Sequence, residues 1–277
     1  MINKNLLLQY LLPHHFVSWC AGLFVTRRWK WLKNWQISQF MRVYKVSLAE
    51  AEKEHIADYA TFNEFFIRAL KPELRPIDLS IHSLVSPADG VIGQIGKIDH
   101  EKIIQAKGHD YKLQDLVGAD LAKDFIDGQF ITIYLSPSDY HRVHMPYTGK
   151  IITTRYIPGK LFSVNPKTTA AIPQVFTRNE RLICSIETEL GPMLLVMIGA
   201  MLVNGIVTKW AGKITPIAQN QSISLDTQHI IYNKGEEIAY FEFGSTVILI
   251  TPKNDFRWLE TCKNDLKINM GMAIGTI

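Results

Sequence analysis

The sequence predicts an α+β protein that is mainly β, with a helical N-terminal region followed by a β-rich domain. Helix signals and long apolar stretches are confined to residues 1–70, and from about residue 82 short apolar runs alternate with turn residues. Between these two parts, the segment 71–77 contains two prolines, which cannot continue a helix. We therefore expect one region over residues 1–70 and a second over residues 71–277.

Composition limits the class of protein. The chain has 277 residues, enough for a sizeable core, and its net charge of +4 is too small to favour nucleic acid as a partner. Its three cysteines, Cys20, Cys184 and Cys262, are far apart and form no Cys-x-x-Cys pair. This spacing argues against a disulfide framework or a structural zinc site, and it fits a reducing compartment.

The N-terminus combines an apolar stretch with a basic, aromatic one. Residues 5–25 are mostly apolar, but a glutamine, a proline and two histidines interrupt them, so a membrane-spanning helix is not favoured. Residues 26–33 supply four cations that suit an anionic lipid surface: Arg27, Arg28, Lys30 and Lys33. We expect an interfacial, membrane-docking element. The alternative is a pair of core helices docked on the rest of the fold.

Two segments have the capping-box pattern, in which a hydroxyl and a carboxylate satisfy the free backbone N–H groups at a helix start. They are Ser47–Glu50 and Thr61–Glu64. After the second, Phe62, Phe65 and Phe66 form an apolar stripe at helical spacing. Both segments therefore predict the start of a helix.

Short apolar runs separated by turn residues predict the strands of the second region. The clearest are residues 90–95, 130–135, 194–198 and 206–210. Residues 110–117 are instead typical of a short helix. Residues 234–244 are similar to the hairpin repeat of biotinyl- and lipoyl-like barrel-sandwich domains, so we expect a barrel-sandwich-hybrid-like domain here.

A small polar step, Gly244-Ser245-Thr246, interrupts residues 240–250, which otherwise have the pattern of one continuous strand. Glycine inside a strand usually marks a bulge or a close backbone approach. Here it also puts an unhindered carbonyl directly before a hydroxyl, the arrangement needed for Ser245 to attack the preceding peptide bond. The alternative is a bulge with no chemistry.

Two further segments carry titratable side chains. His141 and His144 stand three residues apart after a predicted strand, and histidine is the side chain best suited to moving protons near neutral pH. Asp89 lies in a tight turn just before another strand, where a carboxylate could orient a histidine. An exposed turn, hydrogen-bonded core histidines and an ordinary Asp-Gly turn are the structural alternatives. No companion ligands support a metal site.

Together these segments show a resemblance that runs through most of the chain. The sequence resembles the phosphatidylserine decarboxylase family, the pyruvoyl-dependent lyases of bacterial, prokaryotic type I. The matching segments are 59–68, 86–90, 105–109, 140–146, 158–165, 178–181 and 244–246. One departure is that Phe243 stands where the family often has leucine before Gly-Ser-Thr. Since Gly244, Ser245 and Thr246 are intact, we expect maturation to survive.

The resemblance implies that the chain is a zymogen. Asp89, His144 and Ser245 would form the self-processing triad, with His144 as the base and Asp89 as its orienter. Attack of Ser245 on Gly244, followed by β-elimination and hydrolysis, would cut the chain into residues 1–244 and 245–277. Residue 245 would become a covalent pyruvoyl group, the only cofactor, with no metal.

For the mature enzyme, the resemblance implies decarboxylation of phosphatidylserine to phosphatidylethanolamine through a Schiff base to the pyruvoyl group. His141 would be the acid that protonates the former α-carbon, and Ser163 a substrate-binding residue. The partners would be phosphatidylserine in an anionic membrane and a second copy in a homodimer, at the cytoplasmic face of the inner membrane. Two other classes stay open: a binding module of the barrel-sandwich type, and a pyruvoyl decarboxylase for a soluble amino acid.

Overall fold

The computed structural model describes residues 9–106, 108–201, 205–214, 223–225, 230–242, 245–254 and 256–276. These residues form a mixed α/β protein with more strand than helix, which confirms the predicted fold class at that level. The helices with full bounds are α1 His14–Val25, α2 Lys30–Tyr44, α3 Phe62–Phe66, α4 Leu113–Val117, α5 Ala119–Ala122, α6 Pro166–Thr169 and α7 Val175–Arg178.

The two capping-box segments have different outcomes. At the second, Thr61 Oγ1 accepts a hydrogen bond from the Glu64 N–H at 3.0 Å and α3 begins, as predicted. The helix predicted at Ser47 is wrong. Ser47 Oγ instead accepts from the Ala49 N–H, and Ala51 then forms a bridge to Leu70. Backbone pairing with a distant segment replaces the helix there, because an N–H group that donates to that segment cannot also donate to a helical carbonyl.

Four sheets contain the strands. Their bounds are β1 Ser83–Val85, β2 Gly90–Lys97, β3 Lys102–Ala106, β4 His109–Lys112, β5 Gln129–Leu135, β6 Arg142–His144, β7 Gly149–Ile157, β8 Arg181–Thr188, β9 Gly191–Ile198, β10 Ile206–Thr208, β11 Gly212–Ile214, β12 Ile223–Leu225, β13 Ile231–Tyr232, β14 Glu237–Phe241, β15 Ser245–Thr251, β16 Arg257–Trp258, β17 Lys267–Ile268 and β18 Ala273–Thr276. All four predicted strands are present. The helix predicted over residues 110–117 is half wrong, since β4 occupies its first part and only α4 is helical.

The largest sheet has the order β12-β7-β8-β9-β15-β5-β2-β17, with β13 also paired to β7. β15 lies inside this sheet between β5 and β9, and it is buried along its whole length. Alternate residues of β15 enter two different cores. Val247 and Leu249 belong to one core, and Ile248 and Ile250 to the other. Burial on both faces explains why this strand is a continuous apolar run rather than an alternating one.

The chain does not form one strand over residues 240–250, which corrects the expectation from sequence. β14 ends at Phe241 and belongs to a four-stranded sheet with the order β11-β10-β14-β6, whereas β15 begins at Ser245 in the large sheet. Gly244 and Phe243 lie outside the described residues. The serine of interest therefore stands where the chain passes from one sheet to the next.

A third apolar core lies wholly within the N-terminal part, with buried residues from Val25 to Phe66. The inner face of α1 consists of His14 and three smaller residues, all of them buried: Ser18, Gly22 and Val25. Its outer face carries aromatic residues, and Phe16, Trp19 and Phe24 are 61%, 58% and 60% exposed. Among the described residues, none of the helices has the length and hydropathy to cross a membrane.

Lys33 does not face outward as the sequence suggested. Its side chain is buried on α2, and Nζ donates a hydrogen bond to the Ile56 carbonyl at 2.7 Å. Burial lowers the pKa of this ammonium. The other three cations of this segment, Arg27, Arg28 and Lys30, are exposed.

Candidate active site

Ser245 is fully buried at the first position of β15, where it pairs with Leu135 of β5. Its Oγ has no hydrogen-bond partner among the described residues. A buried hydroxyl without a partner costs free energy that folding does not recover, so such groups in native proteins call for an explanation. A hydroxyl held free for attack on a neighbouring carbonyl is one explanation that fits this position.

His141 follows β5 and is also fully buried. Its backbone carbonyl accepts from the Phe241 N–H at 3.0 Å, so it lies beside the last residue of β14. Nδ1 lies 2.8 Å from the Asp139 carbonyl, and because a carbonyl only accepts, Nδ1 carries the proton. Nε2 is left as an acceptor with no partner among the described residues. Burial lowers the pKa of His141 to about 3, so the ring is neutral near pH 7.

The N-terminal region covers this histidine. The Phe66 ring of α3 lies 4.2 Å from the His141 ring, centroid to centroid. Arg68 is buried nearby and donates to the Ser138 carbonyl at 2.9 Å. Residues of the N-terminal region and of the β-rich region therefore form the site together.

His144 ends β6, and both of its ring nitrogens have partners. Nδ1 donates to the Gly235 carbonyl at 2.8 Å, and Nε2 accepts from the Tyr140 hydroxyl at 2.9 Å. Burial lowers the pKa of this imidazole too. The structure thus puts a backbone carbonyl, not Asp89, at the nitrogen that fixes the His144 tautomer.

Asp89 lies near His144 in the fold, but its carboxylate binds other groups. The His144 N–H donates to the Pro87 carbonyl at 2.8 Å, which ties β6 to the turn that carries Asp89. The Asp89 carboxylate forms an ion pair with Arg75, whose Nη2 lies 2.6 Å from Oδ2, and accepts from the Met270 N–H at 2.8 Å. Asp89, Arg75, Arg68 and Tyr140 line a cleft of about 360 Å³ that residues of the N-terminal region close on the other side.

We expect Arg75→Ala to lower the free energy of unfolding by about 3–5 kcal/mol, because it leaves the buried Asp89 carboxylate without its cation. Urea unfolding followed by tryptophan fluorescence measures this loss. Glu50→Gln is the matched control, because Glu50 also pairs with Arg75 but its side chain is 56% exposed. It should cost less than about 1 kcal/mol. Equal effects of the two variants would contradict the buried pair.

Ser163 lies in the loop between β7 and α6. Its N–H donates to Gln9 Oε1 at 3.0 Å, and its Oγ accepts from Asn165 Nδ2 at 2.8 Å. The neighbouring Phe162 is bonded through both backbone groups to the Asn179 side chain, which also donates to the Gly199 carbonyl. These bonds link the Ser163 loop to the end of β9, next to β15.

Sequence reasoning missed several residues of this site: Phe66, Arg68, Arg75 and Tyr140. Three of them, Phe66, Arg68 and Tyr140, stand inside or beside the segments that carried the family resemblance. Arg75 gave a weaker signal, since it lies in the proline-containing break between the two regions. Only the fold brings its guanidinium to Asp89.

The residues present fit a group made from Ser245 itself. The Ser245 hydroxyl, which has no partner among the described residues, provides an oxygen atom for attack on the preceding carbonyl. β15 is paired on both sides, so it holds the rest of residue 245 in place. Among the described residues, no cluster of three or more His, Cys, Asp or Glu side chains is placed to hold a metal ion.

Comparison with known proteins first gives the class: this chain is similar to decarboxylases that are made as proenzymes. The family model described as phosphatidylserine decarboxylase matches residues 62–276, and a second, described as PSD, matches residues 5–45. The chain belongs to the phosphatidylserine decarboxylase family.

Three relatives named phosphatidylserine decarboxylase proenzyme illustrate the similarity. The protein of Saccharophagus degradans is 44% identical over 274 residues, which cover 98% of this chain and 96% of the relative. That of Alcanivorax borkumensis is 43% identical, covering 97% and 94%. That of Coxiella burnetii is 43% identical, covering 98% and 97%. The similarity therefore includes the helical N-terminal part as well as the β-rich part.

Proposed function

We propose that this chain cuts itself between Gly244 and Ser245 and then decarboxylates phosphatidylserine to phosphatidylethanolamine and CO2. The observation that carries the proposal is Ser245, a buried hydroxyl without a partner among the described residues, at the start of a central strand and at a change of sheet. Family membership supports the same activity. The two products of the cut would be residues 1–244 and 245–277.

Self-cleavage uses Ser245, His144 and Asp89. Ser245 Oγ attacks the Gly244 carbonyl while His144 takes the hydroxyl proton at Nε2, the nitrogen that now accepts from Tyr140. Tyr140 must therefore move aside or pass the proton along. Asp89 stabilises the imidazolium that results, since the turn bearing it is bonded to the His144 backbone. The peptide bond is thereby replaced by an ester to Ser245 Oγ, and β-elimination breaks the Cβ–Oγ bond and leaves Gly244 as a C-terminal carboxylate. Water then hydrolyses residue 245 to a pyruvoyl group, and its nitrogen leaves as ammonia.

In the mature enzyme, a pyruvoyl group at residue 245 would supply an electrophilic carbonyl for the lipid amine and a sink for the electrons released with CO2. His141 supplies the proton that replaces CO2 on the α-carbon. Nδ1 donates to the Asp139 carbonyl, so Nε2 is the position that carries this proton. Because the buried ring is neutral near pH 7, Nε2 must first take up the proton before it passes it to the α-carbon. Ser163 binds the substrate carboxylate from its loop beside the end of β9.

Turnover of two substrates tests the proposed function against a soluble amino acid decarboxylase. Purified protein is given phosphatidylserine in detergent micelles or free serine, and the release of CO2 is measured. We expect release from the lipid and none above background from serine. Turnover of serine alone would favour the soluble-substrate class, and no turnover of either would favour a binding module.

We propose that the outer face of α1 and the segment after it dock on an anionic membrane. Phe16, Trp19 and Phe24 are exposed there, which is unusual for three large aromatic side chains on one helix. Arg27, Arg28 and Lys30 follow at the exposed end of the helix, where each cation near an anionic surface contributes about 1 kcal/mol. Aromatic and basic residues side by side suit the headgroup region.

Substitution of Phe16, Trp19 and Phe24 by serine should weaken binding to phosphatidylglycerol-containing vesicles by at least about 100-fold, because burial of each ring contributes well over 1 kcal/mol. Co-sedimentation measures the bound fraction. Leu79→Ser with Ile81→Ser is the control, since these residues are 83% and 71% exposed on another part of the surface. Equal binding of both variants and the wild type would contradict docking through α1.

The remaining features of the proposal concern organisation. Residues 1–70 form the membrane-docking region, which the separate core of residues 25–66 supports. Residues 71–277 form the catalytic domain, and its two cores on opposite faces of one sheet support a barrel-sandwich-hybrid-like arrangement. We further propose a homodimer bound peripherally at the cytoplasmic face of the inner membrane.

A further inference from the structure

Glu180 is a buried carboxyl group that the proposed mechanism does not use. It belongs to the segment Arg178–Arg181, whose other two buried members have structural partners. The Asn179 side chain ties the Phe162 backbone to Gly199. The Arg181 guanidinium donates only to backbone carbonyls, those of Leu116, Asp115, Thr177 and Asn179. The Glu180 side chain has no comparable set of partners among the residues that the structure describes.

In the described part of the chain, the Glu180 side chain has one hydrogen-bond partner. The residue is 1% exposed, and Oε2 accepts from the Tyr156 hydroxyl at 2.9 Å. Within the part of the chain that the structure describes, no lysine or arginine forms an ion pair with it. Burial raises the pKa of this carboxyl to about 7, against the smaller opposing effect of the Tyr156 hydrogen bond. Both protonation states are therefore populated near neutral pH.

The sheet places Glu180 on the same row as Ser245. Arg181 pairs with Ile198, and Ile198 pairs with Thr246. The antiparallel register therefore puts Glu180 opposite Gly199, whose N–H donates to the Glu180 carbonyl at 2.9 Å. It also puts Gly199 opposite Ser245, the residue before Thr246 in β15. Residues opposite one another in an antiparallel ladder point to the same face. Glu180, Gly199 and Ser245 thus form one row across three strands.

Gly199, the middle residue of that row, leaves room for the carboxyl group. A Cβ atom built on Gly199 would lie 2.7 Å from Glu180 Cγ and 2.8 Å from Oε1, so the carboxyl occupies the space of a side chain that is missing. Opposed Cβ atoms on neighbouring strands are about 4.5–5.5 Å apart. The Glu180 Oε1 atom therefore lies within about 8 Å of the Ser245 Cβ and on the same face of the sheet, so an amine that approaches residue 245 from this face comes between the two groups.

We propose that Glu180 is a further catalytic residue, the base that takes a proton from the ammonium group of the substrate so that the free amine can attack at residue 245. The inference rests on the proposed function, since it needs the carbonyl that self-cleavage creates there. The geometry that carries it is the row through Gly199, which points the carboxyl along the sheet toward β15.

The proton balance closes without any further reactant. A primary amine carries three hydrogens near pH 7, because the pKa of an alkylammonium is about 10. One passes to Glu180 before the C–N bond forms. The carbonyl oxygen then leaves as water, which takes back the proton from Glu180 together with a second hydrogen from nitrogen. The third hydrogen stays on nitrogen, and Glu180 returns to its carboxylate form.

The test measures formation of the C–N bond apart from decarboxylation. Phosphatidylethanolamine is an amine without a carboxyl group to lose, and cyanoborohydride makes its conjugate with the small chain permanent and visible by mass spectrometry. We expect Glu180→Gln to slow conjugate formation by about 100-fold at pH 7. An end-point titration with phenylhydrazine, which counts carbonyl groups, should give the same stoichiometry for Glu180→Gln and the wild type.

The pH dependence provides a readout that a merely structural role would not change. The wild-type rate should fall as the pH drops through about 7, because Glu180 becomes protonated and can no longer accept a proton. Glu180→Gln should lack this fall. Tyr156→Phe removes the hydrogen bond that lowers the pKa of Glu180, so the midpoint should move upward. Glu187→Gln, an exposed carboxylate on the same strand, should behave as the wild type.

The outcomes separate the inference from the function on which it rests. A cleaved Glu180→Gln protein with the wild-type rate and pH profile would overturn the role of Glu180 alone. If that variant stays uncleaved, Tyr156→Phe decides, and an unmoved midpoint overturns the role. A wild-type protein with an intact chain and no carbonyl would overturn the proposed function together with the inference.

Discussion

Ser245→Ala should yield a single chain of full length with no decarboxylase activity, because it removes the only atom that can open the Gly244–Ser245 bond and the residue that becomes the carbonyl group. The wild-type protein, denatured, should give two masses, those of residues 1–244 and 245–277. Intact-mass spectrometry of the purified proteins reads both results directly. Loss of activity should be complete rather than partial, since no other side chain can supply the missing electrophile.

Ser185→Ala is a suitable control for this experiment. Ser185 lies on β8 of the same sheet and is half-buried, so its loss tests whether any serine-to-alanine change in the sheet affects folding. It should be cleaved and active. A wild-type protein found as one intact chain, with residue 245 still serine, would contradict the proposed maturation.

The two buried histidines should separate maturation from turnover. His144→Asn removes the base that we propose for Ser245, so the chain should stay uncut. His141→Asn should be cut normally but turn over about 10²–10⁴-fold more slowly, because general acid catalysis contributes that much. Gel electrophoresis under denaturing conditions reports the cut, and CO2 release from micellar phosphatidylserine reports turnover.

Two further results bear on this separation. His82→Asn, at an exposed position before β1, should be cut and active. The reverse pattern, with His141→Asn uncut and His144→Asn cut but slow, would show that the two roles are exchanged. An exchange would fit one structural difference: His141 Nε2 has no partner among the described residues, whereas His144 Nε2 accepts a hydrogen bond from Tyr140.

Candidate reactive residues were easier to select from sequence than their partners. Each of the segments with Ser245, His141 and Asp89 had an ordinary structural alternative, and they stood out because together they match one family. The Arg75–Asp89 pair and the Gly199 gap did not stand out, since both depend on strand pairing between distant segments. Nothing local distinguishes an arginine that will meet a buried carboxylate from one that will face water.

Local patterns also failed where long-range pairing competed with them. Ser47–Glu50 and Thr61–Glu64 have the same capping pattern, yet only the second begins a helix, because Ala51 is recruited to a bridge with Leu70. Lys33 stands in a basic run that indicated a lipid surface, but the pitch of α2 turns it toward the Ile56 carbonyl. The strand through residues 240–250 was an error of the same kind, since apolar character does not reveal which sheet a residue joins.

The position of residue 245 at the head of a strand bonded on both sides has a consequence for the life of the enzyme. An enzyme with a dissociable cofactor competes for it with other proteins and can replace it after damage. If residue 245 becomes the cofactor as proposed, one equivalent is made with every polypeptide, so activity would be independent of vitamin supply and set by synthesis of the chain alone. For the same reason, the cofactor could be neither exchanged nor repaired. Loss of its carbonyl to a stray amine or a reductant would inactivate the whole molecule.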